Sequence, residues 1–105
     1  MATLQDLIEE DLEAYEIEYR THATRRMFQR GFFNEDVERV LFHGEIIERY
    51  HDTPPFYHVL ISGRARFRLP LHVVTIVNTS EQRITIITAY EPDSLRWEDN
   101  FTRRT

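Results

Sequence analysis

The sequence predicts an α+β domain in which N-terminal helices pack on one face of a four-stranded antiparallel sheet. Apolar residues recur with helical spacing in the first part of the chain, up to Gly44. From Glu45 onward the spacing changes to the two-residue period of strands. The breaks between these later segments are short, and short connections join antiparallel neighbours. With 105 residues and no linker-like segment, the chain fits a single domain, residues 1–105.

An acidic amphipathic helix is expected within residues 1–14, at roughly residues 3 to 13. Its apolar stripe comprises Leu4, Leu7, Ile8 and Leu12. Residues 1–19 contain seven acids and no base, whereas the rest of the chain has thirteen arginines against eleven acids, a net charge of +2 with histidine neutral. We therefore expect this acidic leader either to pack across the basic body or to form a homodimer through its stripe.

Residues 15–44 are expected to form a helical segment. Thr21 can cap a helix over about residues 22–30, and Gly31 ends that helix because glycine readily takes a positive φ. Asn34 is expected to cap the following helix, which Gly44 closes.

The antiparallel sheet is expected within residues 45–92, and residues 93–105 are expected to form a C-terminal turn and tail. The four strands are predicted at residues 45–51, 56–62, 65–77 and 83–90. Residues 15–19 also alternate, which fits either a short strand or an extended linker.

Composition and missing motifs exclude several classes of protein. The chain has no cysteine, so disulfides and thiolate zinc sites are excluded. The five histidines lack the helical spacing of metal ligands, and there is no Gly-rich phosphate loop or serine elbow. We expect no metal and no cofactor. The apolar runs are too short for a membrane span and no signal core is present, so we expect a cytoplasmic protein without membrane contact.

The first candidate site is the row of His22, Arg26 and Arg30. Their spacing of four residues places them on one side of the predicted helix. One imidazole and two guanidinium groups in a row can form a phosphate cradle. The alternative is a solvated face whose arginines pair with surface carboxylates.

A second candidate site lies on the predicted third strand. The two-residue period places Arg66, Arg68 and His72 on one face. The opposite, core-facing side would carry Phe67, Leu69, Leu71 and Val73. The alternatives are an ordinary polar outer face for the arginines, and for His72 a buried histidine held by a backbone carbonyl.

Four short motifs occur in order along the chain. They are His22-Ala-x-x-Arg-Met-x-x-Arg-Gly31, Gly44-Glu-Ile-Ile-Glu-x-Tyr50, Pro70-Leu-His-Val-Val74, and Ile87-Thr-Ala-Tyr-Glu-Pro-Asp93 with Trp97 after it. With these motifs the chain resembles the bacterial family numbered 4258 among domains of unknown function, from about Tyr15 to Arg104. In element order that family is similar to the RelE and ParE toxins and to barnase-like ribonucleases, which implies a RelE-like fold.

The resemblance implies a toxin-like ribonuclease that works without metal. In such a mechanism a base takes the ribose 2′-hydroxyl proton, an acid protonates the leaving oxygen, and cations stabilise the charged phosphate. The implied catalytic residues are His22, His72 and Arg26, and the implied phosphate- or RNA-binding residues are Arg30, Arg66, Arg68 and Tyr90. The implied partners are RNA and an antitoxin-like protein. The alternative is a non-catalytic module that binds RNA or a protein.

Overall fold

The computed structural model describes residues 1–105 as an α+β domain built on a five-stranded sheet. The elements are β1 (Glu16–Tyr19), α1 (Thr21–Arg30), α2 (Asn34–His43), β2 (Glu45–Thr53), β3 (Phe56–Arg64), β4 (Pro70–Asn78), β5 (Arg83–Tyr90), β6 (Trp97–Glu98) and β7 (Arg103–Arg104). The sheet order is β1-β5-β4-β3-β2, and β6 pairs with β7 in a separate small hairpin. No helix is both long and apolar enough to cross a membrane.

The predicted four-stranded antiparallel, RelE-like sheet is wrong, because the sheet has five strands and is mixed. The alternating segment at residues 15–19 forms β1, which runs parallel to β5 and aligns Ile17 with Ile84. The other three pairings are antiparallel. The parallel pairing joins segments far apart in the chain, so the local period of a four-residue strand did not reveal its partner.

The leader is not the predicted α-helix. It contains two short 3₁₀ helices, Leu4–Leu7 and Leu12–Ala14. Between them the Gln5 side-chain amide donates to the carbonyl of Glu10 and its oxygen accepts from the backbone N–H of Leu12, both at 2.8 Å. These side-chain hydrogen bonds take the place of the backbone hydrogen bonds that a continuous α-helix would form.

The apolar stripe of the leader nevertheless packs inward. Leu4, Ile8 and Leu12 are buried in the domain's own core. These three side chains are therefore not available to a second copy, and the leader offers no exposed apolar stripe through which the expected homodimer could form. The acidic side chains Glu9 and Glu10 lie beside the turns at Pro54 and Thr79.

The predicted third strand also starts later than expected. Residues 66–68 form a 3₁₀ turn in which Phe67 and Arg68 have φ of 58° and 61°. Strand backbone does not allow positive φ, so β4 begins only at Pro70. Leu71 and Val73 face the core as predicted, but Phe67 and Leu69, which were expected on the same side, are exposed.

One core joins the helices to one face of the sheet. Its side chains include Ala23 and Met27 of α1, Val37, Val40 and Leu41 of α2, and Val59, Val73, Val77, Ile84 and Ile86 of the strands. Gly31 ends α1 in the left-handed region at φ 76°, as predicted. The helix α2 starts at Asn34, but its capping carboxylate comes from Asp36.

Asp36 connects three parts of the fold. Its carboxylate is almost fully buried and accepts the backbone N–H of Phe33 at 2.8 Å. The same carboxylate accepts the backbone N–H and the Nε–H of Arg66, each at 3.1 Å. Burial alone would raise the pKa of Asp36, but these hydrogen bonds and the Arg66 charge hold that pKa below its ordinary value. The ionised carboxylate therefore fixes the β3–β4 turn against the start of α2.

We predict that Asp36→Asn destabilises the domain by about 2 kcal/mol at pH 7, since hydrogen bonds to a charged group contribute roughly 1.5–3 kcal/mol. Urea unfolding followed by circular dichroism measures the change. Asp52→Asn is the matched control, because its ion pair with Arg49 is exposed on both sides, and we expect less than about 0.5 kcal/mol there.

The Asp36 contribution should also depend on pH. A carboxylate whose folded-state pKa is lowered stabilises the fold fully above its ordinary pKa of 3.8, and this stabilisation is lost as the pH falls through the folded-state pKa. The stability difference between wild type and Asp36→Asn should therefore shrink below pH 3.8. A difference that stays constant down to acid unfolding would show that the charge is not its source.

Candidate functional site

The arginine face of α1 is defined by His22, Arg25, Arg26 and Arg30. The core takes Ala23 and Met27 of this helix, so the polar residues point outward or to its flanks. From Thr21 to Arg30 the helix contains no acidic residue. The arginine face therefore concentrates positive charge on a chain whose net charge is −5.

None of these three arginines has an acidic partner. Ion pairs with carboxylates involve five other arginines: Arg49, Arg66, Arg83, Arg103 and Arg104. Moreover, the Nε of Arg26 is buried and has no hydrogen-bond partner. A buried guanidinium N–H without an acceptor is unfavourable. Most of the face is exposed to solvent, as in the alternative for this row, but its arginines lack the carboxylate partners that the alternative assumed.

The row of His22, Arg26 and Arg30 follows one flank of α1. The exposed Phe28 lies on the opposite flank, and Arg25 stands between them, three residues before Phe28. Phe28 lines a cleft with Phe33 between the end of α1 and the start of α2. The arginine face and this cleft are therefore adjacent parts of one surface.

His72 lies on the other face of the sheet. Its neighbours Leu71 and Val73 point into the core, so the alternation of β4 turns His72 away from the helices. Its Nε2 is 2.7 Å from the carbonyl oxygen of Phe101, and its Nδ1 is 3.2 Å from the hydroxyl of Tyr90. Because a carbonyl only accepts, we assign the proton to Nε2, and Nδ1 then accepts from Tyr90.

The environment of His72 favours the neutral imidazole. Burial lowers its pKa, and the packing is completed by Trp97, whose ring centroid lies 4.5 Å away. The charged groups that act on it are Glu48 and Arg104, with none from α1. The histidine is therefore closed off by the C-terminal hairpin, in the buried, carbonyl-bonded form that the sequence left as its alternative.

The structure does not bring the implied catalytic residues together. His22 and Arg26 lie on α1, whereas both ring nitrogens of His72 are occupied by groups on the opposite face of the sheet. The hydroxyl of Tyr90, one of the implied RNA-binding groups, is occupied by the same imidazole.

Arg66 and Arg68 also lie elsewhere than predicted. They do not share a strand face with His72, because both precede β4. Arg66 is paired with Asp36, and its guanidinium lies 4.3 Å from the ring centre of Phe33. Arg68 is exposed in the turn, where its carbonyl accepts a hydrogen bond from Arg64 at 3.0 Å. Both arginines therefore belong to the β3–β4 turn.

The remaining histidines do not form a metal site. His51 and His58 are opposite each other on β2 and β3, and Tyr50 contacts the His58 ring edge-to-face at 5.0 Å. His43 is at the end of α2. No group of three or more potential ligands is arranged to hold a metal ion.

Three exposed phenylalanines were not predicted from the sequence, and we call them the phenylalanine patch: Phe28, Phe33 and Phe67. Their exposed fractions are 86%, 56% and 86%. Helical spacing could have identified Phe28, since it falls outside the stripe of Ala23 and Met27. Phe67 had no such signal, because its exposure depends on the positive φ of the turn.

We predict that His72 makes stability depend on pH below its ordinary pKa of 6.5. A histidine whose folded-state pKa lies below 6.5 binds its proton mainly in the unfolded state, so stability falls as the pH falls, by at most about 1.4 kcal/mol per pH unit. Urea unfolding of His72→Gln should lose this slope. His51→Gln, at an exposed histidine, should keep it, and equal slopes in wild type and His72→Gln would contradict the neutral, buried state.

Comparisons with known proteins identify a family. Neither the comparison with curated proteins nor that with solved structures gave a match. No relation to RelE-type toxins or to barnase-like ribonucleases was found. One family model, described as a domain of unknown function (DUF4258), matches residues 19–91, from the end of β1 to just past the end of β5. The match covers well over half of the chain, and the protein belongs to the DUF4258 family.

Proposed function

We propose that this protein binds RNA through the arginine face of α1, without cleaving it. The observation that supports the proposal is that the three arginines of this face have no carboxylate partner. Guanidinium groups bind phosphate oxygens with two parallel hydrogen bonds, and phosphate contacts supply most of the affinity of RNA-binding proteins.

The spacing of the cations favours an extended ligand over a single anion. Arg26 and Arg30 are four residues apart, which corresponds to about 6 Å along a helix. With Arg25 on the adjacent side of the helix, the cations extend over more surface than one phosphate covers. The ligand is therefore a polymer of phosphates rather than a small phosphorylated molecule.

The negative net charge does not oppose this proposal, because the charges are segregated. Glu9 and Glu10 of the leader lie beside the turns at Pro54 and Thr79. Asp36 is paired with Arg66, and the one acid that lines the cleft at the end of α1 is Glu35, against three arginines on the helix. The electrostatic potential that a ligand meets is set by the nearby charges, since charges beyond about 10 Å are screened by salt.

The geometry supports binding rather than cleavage. Metal-independent cleavage needs a base and an acid on either side of the reacting phosphate. His22 lies on the arginine face, but His72 is buried with both ring nitrogens bonded. The proposed function is accordingly the non-catalytic alternative, in which the protein binds RNA without cleaving it.

We predict that the triple variant Arg25→Gln, Arg26→Gln and Arg30→Gln weakens RNA binding and reduces its salt dependence. Each phosphate contact contributes roughly 0.7 to the slope of log affinity against log salt for a single strand, so the slope should fall by about 2. Fluorescence anisotropy with labelled RNA from 50 to 200 mM salt measures both quantities.

The matched control removes three arginines elsewhere: Arg49→Gln, Arg96→Gln and Arg103→Gln. It changes the net charge equally and should leave the slope within about 0.5 of wild type. An equal loss in both triple variants, or tighter binding of DNA of the same sequence, would overturn RNA binding by the arginine face.

We predict that RNA incubated with the protein in EDTA stays intact while it is bound. Gel analysis of end-labelled RNA after several hours measures this. If the wild-type protein cleaves RNA and His72→Ala or His22→Ala abolishes that cleavage, the non-catalytic assignment is contradicted and the protein is a ribonuclease.

A further inference from the structure

We infer that the ligand is single-stranded and that its bases stack on the phenylalanine patch beside the arginine face. This inference rests on the proposed function, because the arginine face supplies the phosphate contacts. It adds a substrate class, unpaired RNA, and it assigns a role to three side chains that the fold does not use in its core.

The phenylalanine patch is a connected surface. Phe28 and Phe33 line the same cleft at the end of α1. The Arg66 guanidinium then links the other two rings, at 4.3 Å from the centre of Phe33 and 5.8 Å from that of Phe67. Arg66 also donates to the carbonyl of Gly31 at 3.4 Å, which places this arginine at the end of α1.

The exposure of Phe67 is imposed by the backbone. Phe67 and Arg68 have φ of 58° and 61°, a region that residues with side chains rarely adopt. Hydrogen bonds hold the turn on both sides, from the backbone N–H of Arg66 to Asp36 and from Arg64 to the carbonyl of Arg68. Strained conformations that the surroundings maintain occur preferentially at binding sites. Here the strained turn keeps an aromatic ring in solvent.

Each ring of the patch has an arginine close to it. Arg25 precedes Phe28 by about one helical turn and Arg68 follows Phe67 directly, so these two are free to contact phosphates. Arg66 stacks on Phe33 but is paired with Asp36. Proteins that bind single strands combine aromatic rings, on which bases stack, with arginines that contact the phosphates between those bases. A duplex keeps its base faces stacked inside and cannot use these rings. The alternation therefore selects unpaired RNA.

The same charges disfavour a second copy of the chain as the occupant. A two-fold contact through this patch would bring the arginines of both copies into one interface, and such an accumulation of like charge is costly. His22, Arg26 and Arg30 lie on the opposite flank of α1 from Phe28, and a helix with its side chains is about 10 Å across. A strand of several nucleotides crossing α1 reaches both groups.

The test compares an 8-nucleotide single-stranded RNA with a 12-base-pair blunt RNA duplex, each labelled for anisotropy. We expect Phe28→Ser and Phe67→Ser each to weaken single-strand binding roughly tenfold, because one stacked base is lost. Duplex affinity and the salt slope should not change. Phe67→Trp should keep wild-type affinity, since tryptophan also stacks. Leu95→Ser, at a residue 84% exposed away from the patch, is the matched control and should have no effect.

The outcomes separate the two proposals. Salt-dependent binding that is equal for single strand and duplex and unaffected by the phenylalanine variants would overturn stacking and leave the arginine face in place. No salt-dependent binding of either RNA would overturn the proposed function itself. Light scattering that finds a dimer which Phe28→Ser dissociates would assign the patch to a second copy and also overturn the stacking inference.

Discussion

The buried carboxylate of Asp36 is the contact on which the functional surface depends. It caps α2 through the backbone N–H of Phe33 and holds both the backbone and the side chain of Arg66. Arg66 in turn reaches the carbonyl of Gly31 at the end of α1. One ionised group thus joins the end of α1, the start of α2 and the β3–β4 turn. Hydrogen bonds within the turn, such as that from Arg64 to the carbonyl of Arg68, fix its own shape, whereas Asp36 anchors it to the start of α2.

The two faces of the sheet differ in how their charged side chains are paired. On the face away from the helices, Arg104 contacts Glu48 at 2.6 Å and holds the pKa of Glu48 below its ordinary value, while Trp97 and Phe101 cover a neutral His72. Glu48 and Arg104 therefore neutralise each other there. On the helical side, the arginines of α1 have none. The proposed anionic ligand would supply the counter-charge that the arginines of α1 lack.

Local patterns predicted the elements whose burial they determine. The end of α1 at Gly31, the inward side chains of β4 and the inward stripe of the leader all follow from spacing. The errors arose where distant partners decide the outcome. The β1 strand needs the edge of β5, and the Gln5 side chain breaks the leader helix by bonding Leu12. The arginine face was visible as a row, but its lack of carboxylate partners depends on the tertiary structure. The hydrogen bonds of the two ring nitrogens of His72 likewise depend on the tertiary structure.

The most direct test of RNA binding at α1 is a nuclear magnetic resonance titration of the ¹⁵N-labelled protein with an 8-nucleotide uridine RNA. The backbone amides of α1 and of the segments around Phe33 and Phe67 should shift as RNA is added. The amides around His51 and His58, on the opposite face of the sheet, should stay in place. Shifts confined to the His51–His58 face, or no shifts at all, would contradict RNA binding at α1.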